Sequence, residues 1–137
     1  MSALIPLRKP LLERLQRYVK VHTTSDAAST TVPTTPQQWD LLRLLRDEVT
    51  ALGMTEVSLD DKGYLFATLP ATTDKKVPVL GFMAHVDTAP GCSGENVKPQ
   101  VIENYGGGDI PLKGSGAVLS PKEFPALDSL HGHTLVT

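Results

Sequence analysis

His85 and Asp87, two residues apart at the end of an apolar run, are the pair in this chain whose types and spacing could do chemistry. On an extended backbone, positions i and i+2 point to the same face. An imidazole beside a carboxylate can then bind a metal ion through one ring nitrogen while the other donates to the acid, which fixes the tautomer and raises the basicity of the ligand. The bare His-x-Asp triplet also fits an ordinary surface pair, or a histidine held at a strand end for stability alone. Its setting favours a site, because the run ending at Ala84 delivers both groups into a turn carrying Thr88, Pro90 and Gly91, and a rigid element is the platform that a site needs.

Other chemistry-bearing residues read more plainly. Asp60-Asp61 resembles a carboxylate pair, but Lys62-Gly63 follows and the whole reads as a solvated hairpin turn. Cys92 is the single cysteine, so no internal disulfide can form; a lone loop thiol is incidental rather than catalytic and agrees with a reducing compartment. His22 reads as a solvated loop histidine. Gly106-Gly107-Gly108 and Gly114-Ser115-Gly116 lack the GK[ST] or GxGxxG continuation that a phosphate cradle requires.

The elements that must position His85 and Asp87 follow from periodicity. Val77–Ala84 is apolar on both alternating faces and lies between Lys75-Lys76 and Ala89-Pro90-Gly91. It reads as a strand buried on both sides, the central strand of an α/β sheet, with the pair at the carboxyl end where such sheets place ligands. Such a run needs cover on two faces, and only two convincing helices are visible to supply it. The first has Pro10 in its opening turn and a stripe of Leu7, Leu11, Leu12, Leu15, Tyr18 and Val19. After a Ser/Thr-rich loop from Val21 to Thr35, the second begins with Thr35 as N-cap, Pro36 at N1 and Gln38 at N3. Its stripe is Trp39, Leu42, Leu45, Val49 and Leu52, and Gly53 ends it. Thr55–Leu59 and Tyr64–Leu69 read as a hairpin. Pro90–Pro125 offers only short apolar runs, Pro99–Ile102 and Ala117–Leu119, and reads as a long functional loop lining the substrate side of the site. His133–Thr137 reads as a strand beginning, so the chain looks interrupted.

The residues Gly81-Phe82-Met83-Ala84-His85-Val86-Asp87-Thr88-Ala89-Pro90 resemble the first metal-ligand segment of the peptidase T family, the bacterial tripeptide aminopeptidases among the dizinc exopeptidases. Cys92–Val97, Glu103-Asn104-Tyr105, Gly107–Ile110, Leu119-Ser120-Pro121, Phe124-Pro125 and Leu127 are similar to segments of that family in particular, and the resemblance runs from about Leu11 to Thr137. It implies that residues 1–137 are the amino-terminal portion of a mixed-sheet α/β zinc-exopeptidase catalytic domain. It further implies that His85 is a metal ligand and Asp87 the catalytic carboxylate orienting it, with two zinc ions in the complete enzyme. The bridging Asp, the general base and the other ligands would lie beyond Thr137. The resemblance also places the Val21–Thr35 loop near the active site, gives His131 and His133 no ligand role despite their spacing, and allows a homodimer of the complete enzyme.

A formal charge of −2 over 137 residues gives no basic footprint for nucleic acid. Hydrophobic residues at 40% and charged ones at 20% are the balance of a soluble globular chain, with room for one ordinary core. There is no 18-residue apolar run, and Met1–Val21 is too broken by charge for a secretory leader, so the expected location is the cytoplasm. Two readings remain: a part of a metal-dependent aminopeptidase acting on small peptides and inactive alone, or a non-catalytic α/β remnant serving as an interaction module.

Overall fold

The computed structural model describes residues 7–137, so the first six residues of the Met1–Val21 segment lie outside the description. The chain divides into two compact units, one ending at Asn96 and the other running Val97–Thr137. Among the described residues no helix is long and apolar enough to cross a membrane. Among the described residues the architecture is small α/β, with short helices and three two-stranded antiparallel sheets.

In the first unit, α1 (Arg8–Tyr18) carries Pro10 in its first turn, where a missing N–H leaves no bond unmade. Its apolar stripe is poorly covered: no residue of α1 is buried, and Leu7, Leu11 and Leu15 are about half exposed. Polar contacts join it to the second helix, α2 (Gln38–Ala51). Glu48 of α2 accepts hydrogen bonds from Arg14 Nε, from Arg17 Nη2 at 2.6 Å and from the Tyr18 hydroxyl at 2.5 Å. Burial pushes the Glu48 carboxyl up, but the bonds from Tyr18, Arg14 and Arg17 outweigh it and hold the pKa at about 2.

The start of α2 differs from the expected capping box. Gln37 is the cap and makes no side-chain cap bond, while Thr35 and Pro36 form a tight turn ahead of the helix. Gln38 reaches back, but its Nε2 donates to the Thr35 and Thr34 hydroxyls rather than to a backbone group. Side-chain chemistry at this position read true in type and wrong in partner, because one extra turn separates Thr35 from the first helical residue. The far end follows the sequence closely. Gly53 has φ +80°, its N–H donates to Thr50 O, and Met54 N–H donates to Val49 O, the paired bonds by which a left-handed glycine closes a helix.

Strands β1 (Thr55–Leu59) and β2 (Leu65–Thr68) form the expected hairpin, with Ser58 opposite Phe66 and Leu59 opposite Leu65. An irregularity between Thr55 and Ser58 coincides with Glu56 at φ 52°. Val57, Leu59, Leu65 and Ala67 are half-buried between exposed neighbours, and α2 packs on the hairpin, burying Leu41 and Leu42. Asp60 makes the turn: its Oδ1 accepts from the N–H groups of Lys62 and Tyr64. Asp61 is exposed and lies 3.3 Å from Lys62 Nζ, so the pair forms the expected solvated turn.

The expected central strand is absent. Residues 77–84 adopt no strand and pair with no other segment, and their side chains are open to solvent, with Val79 and Phe82 each 96% exposed and Met83 99%. The cause is physical: a run apolar on both faces becomes a buried strand only where strands flank it and layers cover it. Among the described residues of this unit, α2 and the hairpin pack on one another, the stripe of α1 is itself half exposed, and residues 77–84 are left uncovered.

The second unit is not the structureless loop expected for Pro90–Pro125. Three short pairings order it: β3 (Val101–Ile102) with β6 (Leu135–Val136), and β4 (Ile110–Pro111) with β5 (Val118–Leu119), together with a 3-10 helix at Pro125–Leu130. Tyr105, Ile110 and Leu127 are its buried centre, with Ile102, Leu112, Leu119, Leu130 and Leu135 packed around them. Strands of two residues are too short for alternation to show in a sequence, which is why only the runs at Pro99–Ile102, Ala117–Leu119 and His133–Thr137 gave a signal.

Candidate functional site

His85 and Asp87 come together as their spacing requires, although the segment that carries them is extended rather than part of a sheet. The His85 Nδ1 lies 3.0 Å from Asp87 Oδ1. The hydrogen bond from His85 is the main influence drawing the Asp87 carboxyl below its ordinary pKa, opposed by burial and aided by Ser25. An ionised carboxylate only accepts, so Nδ1 carries the proton and the lone pair of the neutral ring sits on Nε2. The His85 side chain is 81% exposed and that of Asp87 39%. When the ring is neutral, this bond leaves Nε2 of an exposed and oriented imidazole as the nitrogen that could bind a metal, with Asp87 as its supporting carboxylate.

The Val21–Thr35 loop meets this segment directly. Thr24 and Thr88 form a parallel bridge, in which Thr88 N–H donates to Thr23 O at 3.1 Å and Ser25 N–H donates to Thr88 O at 3.0 Å. Ser25 Oγ donates to the same carbonyl at 3.1 Å, and Thr23 is buried. His22 is half-buried, not freely solvated as its loop position suggested. Sequence reasoning missed Thr24, Ser25 and Thr88 as partners; the only signal was the density of hydroxyl residues in the loop.

The donor set was tested against the two zinc ions that the resemblance implies. A catalytic zinc takes three protein ligands and a water, and among the described residues no group of three or more His, Cys, Asp or Glu side chains could hold a metal ion. The His85–Asp87 pair supplies one ligand and its orienter. A complete zinc centre does not fit the residues present, and no catalytic step follows from them alone.

The remaining candidates are structural. Cys92 is exposed and unpaired by disulfide. In the second unit, Gly107 and Gly108 have φ of 95° and 82°, and the Tyr105 hydroxyl donates to Gly108 O at 2.5 Å, so this glycine run turns the chain instead of cradling phosphate. A Cβ on Gly107 would stand 2.5 Å from His131 Cε1, and the His131 ring lies 5.8 Å from that of Tyr105. The His131 ring thus lies against Gly107 and Tyr105 at the surface, and both His131 and His133 are exposed. A cavity of about 390 Å³ in this unit is lined by Gln100, Glu103, Asn104, Tyr105, Asp109 and Lys113, among others.

No family model matches the chain. Individual relatives do, at high identity. The chain is 55% identical over 132 residues to a protein of Geobacillus thermodenitrificans, 54% over 132 residues to one of an Exiguobacterium species, and 51% over 131 residues to one of Lysinibacillus sphaericus. These relatives are peptidases, and the chain is a small α/β portion related to that class. Each of the three carries the name Peptidase T, and the chain is homologous to peptidase T along 96% of its own length, in keeping with an amino-terminal part. It spans about a third of the length of these curated relatives.

Proposed function

We propose that the chain supplies the His85–Asp87 element of a metal-dependent aminopeptidase that releases the amino-terminal residue of tripeptides, and that it is inactive alone. In this reading residues 1–137 are the amino-terminal portion of the catalytic domain, His85 is a ligand to one of two zinc ions and Asp87 is the carboxylate that orients it. The other ligands and the general base belong to the two thirds of the relatives' length that the chain does not match. The substrate is a small peptide, the location cytoplasmic, and the complete enzyme a homodimer. The observation that carries this is the oriented His85 ring with Nε2 open to solvent, within a chain more than half identical to peptidase T.

The test is tripeptide cleavage by the purified chain with added zinc, alone and with the unmatched two thirds of the Geobacillus thermodenitrificans relative as a second polypeptide. Groups that act together in hydrolysis are strongly non-additive, so the chain alone should show no turnover above a His85→Ala control. Chelator-sensitive turnover should appear when the two pieces assemble. Turnover by the chain alone would show that the site is complete within it. Assembly without turnover would favour the non-catalytic module instead.

A further inference from the structure

Thr88, the residue after Asp87, is held by hydrogen bonds that start far away in the sequence. Gln38, the first residue of α2, is 7% exposed and its Nε2 donates to the Thr35 hydroxyl at 2.9 Å and the Thr34 hydroxyl at 3.0 Å. The Thr34 oxygen also takes the Asp26 N–H at 3.2 Å. The Thr35 hydroxyl in turn donates to Thr24 O at 2.8 Å. Thr24 Oγ1 accepts the Gly94 N–H at 2.9 Å and lies 3.3 Å from Thr88 Oγ1. The Thr35 hydroxyl accepts one bond and donates another, and Thr24 uses its carbonyl towards Thr35 and its hydroxyl towards Gly94 and Thr88, so these bonds can exist together. Gly94 fits it by having no side chain, since a Cβ there would stand 2.8 Å from Thr24 Oγ1 and 3.0 Å from Thr88 Oγ1.

We propose that Gln38 and Thr24 are positioning residues: hydrogen bonds from the first turn of α2 through Thr35 hold the Thr24 backbone, the Thr24 side chain and bridge hold Thr88, and Thr88 fixes Asp87 and, through it, the ring of His85. This rests on the reading of His85–Asp87 as a functional pair. The run before the pair is unpaired and exposed, so its fixation comes from the bridge at Thr88. A valine at position 24 would keep the volume of threonine and leave the half-buried Gly94 N–H without an acceptor.

The experiment uses the 1–137 chain without metal. Amide exchange at Ser25, Thr88 and Gly94 is measured beside the ¹⁵N ring shifts of His85 at a pH where the imidazole is neutral. Thr24→Val should lower protection at all three amides by roughly three- to tenfold, the scale of one lost hydrogen bond. It should also move the His85 ring shifts towards a mixture of tautomers, with α2 and hairpin amides unchanged. Gln38→Leu should act in the same direction, and Thr24→Ser should restore the wild-type values. Gly94→Ala, which keeps every hydroxyl, carries the test should Thr24→Val unfold the unit. Unchanged His85 ring shifts in Thr24→Val or Gly94→Ala, with only the Gly94 amide affected, would overturn the proposal. These readouts need no activity, so the path can stand where the peptidase reading fails, and the reverse.

Discussion

Glu48→Gln should release α1 from the first unit. An isolated helix of 11 residues is unstable in water, so α1 persists only by docking, and its half-exposed leucines contribute little apolar burial. The charged contacts to Glu48 must supply much of the rest. A carboxyl held at about 2 instead of its ordinary 4.5 sets a ceiling of roughly 3 kcal/mol on that contribution. Arg14 and Arg17 are 31% and 48% exposed, so water screens part of the interaction and about 1–2 kcal/mol is expected. The sign follows from the lowered pKa: the stabilisation is fully present above about 4.5 and is lost as pH falls through about 2. The assay is amide exchange across α1, corrected for intrinsic rates, from pH 7 downward. Glu48→Gln should lose about five- to thirtyfold of α1 protection at pH 7. The wild-type chain should approach the variant on acidification, while the α2 amides serve as reference. Equal α1 protection in the two proteins at pH 7 would refute the reasoning, as would an acid-dependent loss of the same size in the variant.

The exposed run should make the chain adhesive. It should bind an apolar fluorescent dye and sediment with concentration-dependent mass, and Phe82→Asp should weaken both while changing urea stability by no more than about 0.5 kcal/mol, since Phe82 is 96% exposed; a large loss of stability would show that Phe82 is covered. Gly63→Ala should destabilise the first unit by about 1–3 kcal/mol in urea unfolding, because Gly63 has φ +80° and an added Cβ would meet Pro33 Cγ at 2.8 Å. A neutral result there would mean that the hairpin tip does not pack against Pro33.

What could be read from the sequence was what depends on neighbours along the chain. The Asp60–Gly63 turn, the glycine that closes α2 and the His85–Asp87 hydrogen bond join residues within a few positions of one another, and the hairpin joins residues no more than 13 apart. The second unit was not legible because its centre collects Tyr105, Ile110 and Leu127 from separate short pieces, none long enough to carry a period. The partners of the site were hidden for a related reason. Thr24 meets Gly94 across 70 positions and Thr88 across 64, and a hydroxyl in a loop gives no sign of which distant N–H it will accept.

The one large error, the strand at Val77–Ala84, follows from the same distinction. Apolar residues on both faces state a requirement, cover from two sides, and the pattern is as clear in this chain as it would be in a complete sheet. Meeting the requirement depends on cover from other elements, and among those described α2 and the hairpin pack on each other while the stripe of α1 stays half exposed. The pair of residues that could do chemistry survives the difference, since two positions of extended backbone bring His85 to Asp87 whether or not a sheet forms. The threonine bridge then holds the end of an otherwise unsupported segment. Orientation of His85 is therefore separable from formation of the strand: the first rests on contacts within 22–94 of this chain, and the second on cover that the exposed Val79, Phe82 and Met83 lack. Under the proposed function, assembly with the unmatched part should add stability mainly by covering that run, with the His85–Asp87 geometry little changed from the one it has here.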